Sequence, residues 1–261
     1  MNVVVCIKQV PSTETKVRIN TQTRLLDTSE VEWVINPYDE YAIETALRIK
    51  EKLGNTVVTA LTFGPERTRT ALKTALSMGC DRAVYVSDSG VEDIDALSRA
   101  KILAAAVKRE PFDIVLCGKQ AVDDDLAFVP QALAHFLGVP HVAVVPEVEI
   151  EPGKGSIICH REVEGATEVV HMKLPCLVTI QKGKYEPRYP TLKLMMAAKK
   201  KEIPTLSLAD LSLDQNKLTR GITYLEDQLP PGRKPGRRLE GEPADVVPEL
   251  VRLLHEEAKV I

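Results

Sequence analysis

Asp123, Asp124 and Asp125 are three adjacent carboxylates that close a small-residue turn, Gly118-Lys119-Gln120-Ala121-Val122. The turn follows the apolar run Asp113-Ile114-Val115-Leu116-Cys117 and leads into a helix-like run from Leu126 to Leu137. A strand end, a small turn and a helix start form the local plan by which open α/β sheets hold nucleotides, because backbone N–H groups at a helix start attract phosphate. The expected site lies at the carboxyl edge of a parallel sheet. Carboxylates repel phosphate, so the triplet is read as ordering the loop, meeting ribose hydroxyls or holding a metal, with at least one residue serving as a helix cap.

Other catalytic patterns are missing from the sequence. His135, His141, His160, His171 and His255 are scattered without metal-ligand spacing, and neither a Ser/His/Asp set nor H-E-x-x-H occurs, so no catalytic residue and no metal ligand is assigned. Gly153-Lys154-Gly155-Ser156 lacks the glycine spacing of a phosphate loop and reads as a hairpin turn.

The elements that must position the carboxylate loop come from periodicity. Val3 to Ile7, Val57 to Phe63, Ala83 to Val86 and the run before Gly118 read as strands; Pro37 to Lys52, Pro65 to Met78, Ile94 to Val107 and the run from Leu126 read as helices. This alternation predicts a mostly parallel open sheet with helices on both faces. After Pro140 the pattern changes to strands at Val142 to Ile150, Ser156 to Val163, Thr167 to Leu174 and Leu177 to Ile180, with Glu164-Gly165-Ala166 as a hairpin turn. From Lys182 the chain is polar and proline-rich, and it ends in an amphipathic helix, Ala244 to Ala258, with Val247, Leu250, Val251 and Leu254 on one face. An extended arm that packs on another protein is expected, after one α/β domain.

Composition narrows the classes. The 261 residues carry a net charge of −3 with both signs dispersed, which gives no electrostatic case for nucleic acid. No apolar run approaches the length of a membrane helix, about 18 residues, and no signal peptide is read. The five cysteines, Cys6, Cys80, Cys117, Cys159 and Cys176, form no C-x-x-C pair and are expected as reduced core thiols of a cytoplasmic protein.

Several segments, in order along the chain, resemble the beta subunit of electron-transfer flavoproteins. They are Val4-Val5-Cys6-Ile7-Lys8-Gln9-Val10-Pro11, Ile35-Asn36-Pro37-Tyr38-Asp39-Glu40, Ala75-Leu76-Ser77-Met78-Gly79-Cys80-Asp81-Arg82, Gly118 to Asp125, Glu186-Pro187-Arg188-Tyr189-Pro190-Thr191-Leu192, Ala197-Ala198-Lys199-Lys200-Lys201 and Leu239-Glu240-Gly241-Glu242-Pro243. The resemblance implies an adenine-nucleotide alpha-hydrolase-like α/β domain over 1–190. Residues 191–261 would form a recognition loop and a C-terminal arm whose terminal helix packs on an alpha subunit. It further implies a non-enzymatic carrier whose FAD lies mainly on alpha. Electrons would come from an acyl-CoA-type dehydrogenase in fatty acid beta-oxidation and pass to a membrane quinone oxidoreductase.

The same resemblance assigns a nucleotide pocket to Cys6, Asn36, Pro37, Tyr38, Asp39, Phe63, Asp123, Asp124, Asp125, Leu126, Ala127, Phe128, Val129 and Gln131. It holds AMP in most members and a second FAD in electron-bifurcating ones. Asn36 offers donor and acceptor to an adenine edge, or simply caps the helix that begins at Pro37; Phe63 supplies a ring wall. AMP-binding members carry Asn, Gln and Thr where this chain has Ala127, Phe128 and Val129, and Gly where it has Pro130, which has no N–H to give. Bifurcating members carry Gly in place of Asp124 and a Gly-Ala-Asp-Thr segment where this chain has Asp93-Ile94-Asp95-Ala96. A non-bifurcating protein is favoured, with AMP, a second FAD or an empty site left as alternatives. Thr13, in the loop from Pro11 to Thr15, faces the flavin by resemblance. Leu192 matches the recognition-loop leucine that meets the dehydrogenase, with Arg188, Lys199, Lys200 and Lys201 around it. A free-standing adenine-nucleotide-dependent enzyme is the reading of another class, but no Ser-Gly-Gly-x-Asp-Ser or phosphate loop occurs.

Overall fold

Short apolar runs alternating with amphipathic ones build a parallel sheet clothed by helices. The computed structural model describes residues 1–91, 94–151, 153–218, 221–223, 225–233 and 235–261. In chain order the body contains β1 (Asn2–Cys6), β2 (Gln9–Pro11), β3 (Trp33–Ile35), α1 (Pro37–Leu53), β4 (Val57–Gly64), α2 (Arg69–Met78), β5 (Arg82–Ser87), α3 (Ala96–Val107), β6 (Ile114–Gly118) and α4 (Val129–Leu137). There follow β7 (His141–Val145), β8 (Glu147–Ile150), β9 (Ser156–Val163), β10 (Ala166–Lys173), β11 (Cys176–Ile180), α5 (Leu192–Ala198) and β12 (Thr205–Leu206). The last helix is α6 (Pro243–Arg252), continued by a π turn over Leu253–Ala258.

The main sheet has seven strands in the order β12-β5-β4-β1-β6-β11-β7, all pairs parallel. Because the chain builds outward from β1 to one side and then from β6 to the other, the topological switch point lies between β1 and β6. Alternation along β1 explains the two-layered core. Val3 and Val5 pack with Ala42, Ile43 and Leu47 of α1 and Leu72 and Leu76 of α2, while Cys6 packs on the other face with Ile102 of α3 and Leu133 of α4. Every residue of β6 and β11 is buried, as their almost wholly apolar sequences require, and the one hydroxyl, on Thr179, accepts the Val144 N–H. The α/β class and the helices on both faces therefore agree with the sequence reading.

Three local expectations need correction. The strand expected over Val142 to Ile150 is two strands, β7 in the main sheet and β8 in a three-stranded antiparallel sheet with β9 and β10. Pro146 lies between them, where the missing N–H breaks the ladder. Gly183 accommodates this corner, since a Cβ there would stand 2.1 Å from the Pro146 carbonyl oxygen. The helix expected from Leu126 starts at Val129, because Asp125 and Ala127 have φ of 47° and 48°, outside the right-handed helical region. The helix expected from Pro65 opens as a single 3-10 turn, Glu66–Thr68, before α2. The β2–β3 ribbon, α5 and β12 were not anticipated.

The chain divides into two compact units, one of Met1–Val17 with Asp27–Leu225 and one of Arg18–Leu26 with Glu226–Ile261. In the first, Leu208, Leu211 and Leu218 are buried with the α3–α4 core, so part of the segment after Lys182 contributes to the body. In the second, α6 buries none of its residues, and Val247, Leu250 and Val251 are exposed.

Candidate functional site

The ends of β1 and β6 part company at the switch point, and the start of α1 closes the gap. Pro37 sets the first turn of α1, where a missing N–H costs nothing, and Asp39 follows with its carboxyl turned into the protein. Asp39 Oδ2 accepts the Lys8 N–H at 2.7 Å and Oδ1 accepts the Gly118 N–H at 2.9 Å, so one side chain joins the two diverging strands. Burial pushes its carboxyl up to about 7, while the two backbone N–H bonds pull the other way. Gly118 must be glycine here: a Cβ would lie 2.4 Å from Asp39 Oδ1 and 2.7 Å from Tyr38 Cβ.

Asn36 immediately precedes α1 but makes no side-chain cap. Its Nδ2 donates to the Gln120 carbonyl at 2.9 Å, and its Oδ1 accepts the Val122 N–H at 3.2 Å. The side chain thus pins the loop beyond β6 to the helix start. Lys8 completes the loop's support: its Nζ is 2.7 Å from Asp123 Oδ1 and 2.9 Å from Asp124 Oδ2. Gln120 Nε2 donates to Asp125 Oδ1 at 2.5 Å, and Asp124 Oδ1 accepts the Leu126 N–H at 3.1 Å. All three carboxylates therefore take part in bonds that order the loop, and Lys8 neutralises part of their charge.

The remaining residues expected in the nucleotide pocket lie at strand ends and in or just before the first turn of α4. Cys6 ends β1, Phe63 lies at the carboxyl end of β4, and both pack on the α3–α4 face. Lys119 Nζ stands 4.9 Å from the centre of the Tyr38 ring. Leu126, Ala127 and Phe128 are exposed, and Val129 opens α4. Gln131, in the first turn of α4, has a buried Oε1 without a hydrogen-bond partner. Cys6 and Cys117 are neighbours across β1 and β6; the Cys6 thiol and burial raise the Cys117 thiol well above its usual range. All five cysteines are free and buried, as composition suggested. Among the described residues no group of three or more His, Cys, Asp or Glu side chains is placed to hold a metal ion.

Thr13 is exposed in a turn closed by Ser12, whose carbonyl accepts the Thr15 N–H at 2.9 Å and whose Oγ accepts the Glu14 N–H at 3.3 Å. Leu192 begins α5 under a Thr191 cap and is 74% exposed, beside Tyr189 at 92%. Of the cations expected around it, Lys199 and Lys200 are exposed, whereas Lys201 Nζ donates to the Cys80 carbonyl at 2.8 Å. Arg188 grips Glu44 of α1 through Nε at 2.7 Å and Nη2 at 2.9 Å, and Glu51 through Nη1 at 2.6 Å. Burial pushes the Glu44 carboxyl up, and hydrogen bonds from Arg188 and Arg48 more than reverse it. In this arrangement Arg188 anchors the segment that presents Leu192.

Sequence reasoning gave no role to Lys8 or Glu44. A lysine two residues past a strand end, with an acidic loop on the neighbouring strand, is the signal that marks the first. For Glu44 the Arg48 pairing at i,i+4 was visible but marks only a surface helix pair, and the partner that matters, Arg188, lies 144 residues away.

Residues 23–211 match the family described as "Electron transfer flavoprotein domain". The chain is 41% identical to the electron transfer flavoprotein subunit beta of Bacillus subtilis over 262 residues, covering all of both chains. It is 36% identical to the subunit beta of Syntrophomonas wolfei, over 100% of this chain and 98% of the relative, and 35% identical to the human one, over 92% and 93%. No helix among the described residues is long and apolar enough to cross a membrane. A beta subunit implies an alpha partner, and with its fold and full-length matches this chain belongs to the electron transfer flavoprotein family on the beta side, as an electron carrier rather than an enzyme.

Proposed function

We propose that this subunit forms a cytoplasmic heterodimer with an alpha subunit that bears FAD, accepts electrons from acyl-CoA-type dehydrogenases of fatty acid beta-oxidation and passes them to a membrane quinone oxidoreductase. The observation that carries the nucleotide part is the crevice at the switch point. There Asp39, Asn36 and Lys8 hold a loop whose far end opens α4. An AMP phosphate would meet backbone N–H groups at the start of α4, and a donor on the ligand would satisfy the buried Gln131 Oε1. Cys6, Pro37, Tyr38 and Phe63 would line the adenine side, and Asp123 to Val129 the ribose and phosphate side.

The non-bifurcating reading is favoured by Asp124, which pairs with Lys8 where bifurcating members carry glycine. On this reading 1–190 act as the nucleotide-binding body, and 191–261 as recognition segment and arm. Thr13 would face the partner's flavin. Leu192 would be the apolar contact for the dehydrogenase, with Lys199 and Lys200 steering encounter and Arg188 and Lys201 holding the segment in place.

Counting flavin and adenylate in the purified heterodimer tests the cofactor assignment: one FAD and one AMP are expected. Two FAD would establish the bifurcating alternative, and one FAD with no adenylate an empty beta site. Leu192→Ala is expected to slow reduction by the dehydrogenase at least tenfold with FAD retained. An unchanged rate would remove Leu192 from the contact.

A further inference from the structure

The second compact unit joins two stretches that lie about 200 residues apart in sequence, Arg18–Leu26 and Glu226–Ile261. The first stretch is a locally built hairpin. Asn20 Oδ1 accepts the N–H groups of Gln22 at 2.9 Å and Thr23 at 3.1 Å, the Asn20 carbonyl accepts the Arg24 N–H at 2.8 Å, and the Asn20 N–H donates to the Leu25 carbonyl at 2.8 Å. Ile19 and Leu26 pair as an antiparallel bridge. An asparagine-led turn of this kind holds its shape through short-range bonds.

The outer edge of that hairpin grips the arm where it begins. Asp227 N–H donates to the Arg24 carbonyl at 2.9 Å, Leu26 N–H donates to Asp227 Oδ2 at 2.8 Å, and the Arg24 guanidinium pairs with Glu226. Further along, Arg237 lies 3.7 Å from Glu249 of α6 and 3.8 Å from Glu257, so the unit has ties at its root and near its end. The chain passes between the two units three times, at 17/18, 26/27 and 225/226, and within the second unit the root of the arm is bonded to the hairpin.

We propose that residues 18–26 are a clasp for the C-terminal arm, and that they orient its root so that the arm meets the alpha subunit with less conformational freedom left to lose. The proposal rests on the heterodimer reading above. Restraining a segment before it binds lowers the entropy cost of binding without adding a contact, so the clasp contributes affinity while touching nothing of the partner.

The test uses the full chain with Arg24→Glu, Glu226→Arg and the double charge reversal. Amide exchange at Leu26 and Asp227 is followed in the isolated subunit, and binding is measured against purified FAD-loaded alpha subunit. Each single variant is expected to speed exchange at those two amides several-fold and to weaken binding about threefold, the range of an exposed ion pair, with the melting temperature of the body unchanged. The double reversal is expected to restore both. Unchanged exchange in the single variants, or faster exchange with unaltered binding, would overturn the clasp. Should the wild-type chain bind no alpha subunit, the heterodimer reading fails, and exchange at Leu26 and Asp227 still decides separately whether the grip exists.

Discussion

The crevice between β1 and β6 and the arm that ends in α6 satisfy their groups in opposite ways. In the body, Asp39 takes two backbone N–H groups and Asn36 two loop groups at the crevice, Glu44 further along α1 takes both Arg188 and Arg48, and Gln131 Oε1 is left for a ligand. On α6 the polar residue Arg252 pairs with Glu249 and with Glu256 just beyond it, while Val247, Leu250 and Val251 are exposed. The first region is bonded largely from within, and the second leaves an apolar face exposed. Mutations should therefore be read by stability in the one and by association in the other.

The contrast is broken most directly at Asp39. Asp39→Ala leaves two buried N–H groups without their acceptor and is expected to cost about 3 kcal/mol, measured by urea unfolding. The same carboxyl sets a pH dependence. Its value is about 7 in the folded chain against 3.8 for the ordinary group, so the folded protein keeps the proton longer than the unfolded one. Its contribution to stability is thus fully present below about pH 4 and is lost as pH rises through about 7. Asp39→Asn should flatten unfolding free energy across that window, and an unaltered slope would assign it to other groups.

Gly118→Ala comes next, at about 2 kcal/mol, because the new methyl can be seated only by displacing Asp39 or Tyr38. Arg188→Ala should cost about 1.5 kcal/mol, since Glu44 loses one of two cations while Arg48 remains. The smallest effect on stability is expected at Leu250→Asp, less than about 0.5 kcal/mol in the isolated chain. The same change should weaken binding of the alpha subunit tenfold or more. If Leu250→Asp instead unfolds the chain, α6 is part of a self-contained core and the contrast fails.

What was legible in the sequence follows the same division. Strong periodicity gave the body, because Val3 and Val5 alternate against Val4 and Cys6 and because α1 repeats its apolar residues at helical spacing. Short elements such as Gln9–Pro11, Trp33–Ile35 and Thr205–Leu206 were missed, since two or three residues carry no period. The carboxylate loop was located correctly at a strand end, but its helix was started three residues early. Sequence pattern does not report that Asp125 and Ala127 adopt positive φ. Nor does it report that the expected helix-capping atoms of Asn36 are committed to Gln120 and Val122, a matter of two segments meeting across 84 and 86 residues.

The interposed strand β11 bears on how this protein is made. It occupies the slot between β6 and β7, so each of those strands lacks a neighbour until residues 176 to 180 have been synthesised and inserted. The Lys119 N–H, beside the carboxylate loop, bonds to the Ile180 carbonyl at 2.8 Å, so the crevice itself is sealed by the end of that late strand. A nascent chain shorter than this leaves the buried strand β6 with an unpaired edge and β7 unattached to the main sheet. For this subunit the ribosome must deliver roughly two thirds of the polypeptide before the crevice can take shape, which makes the growing chain, more than the finished one, the form that needs protection from aggregation.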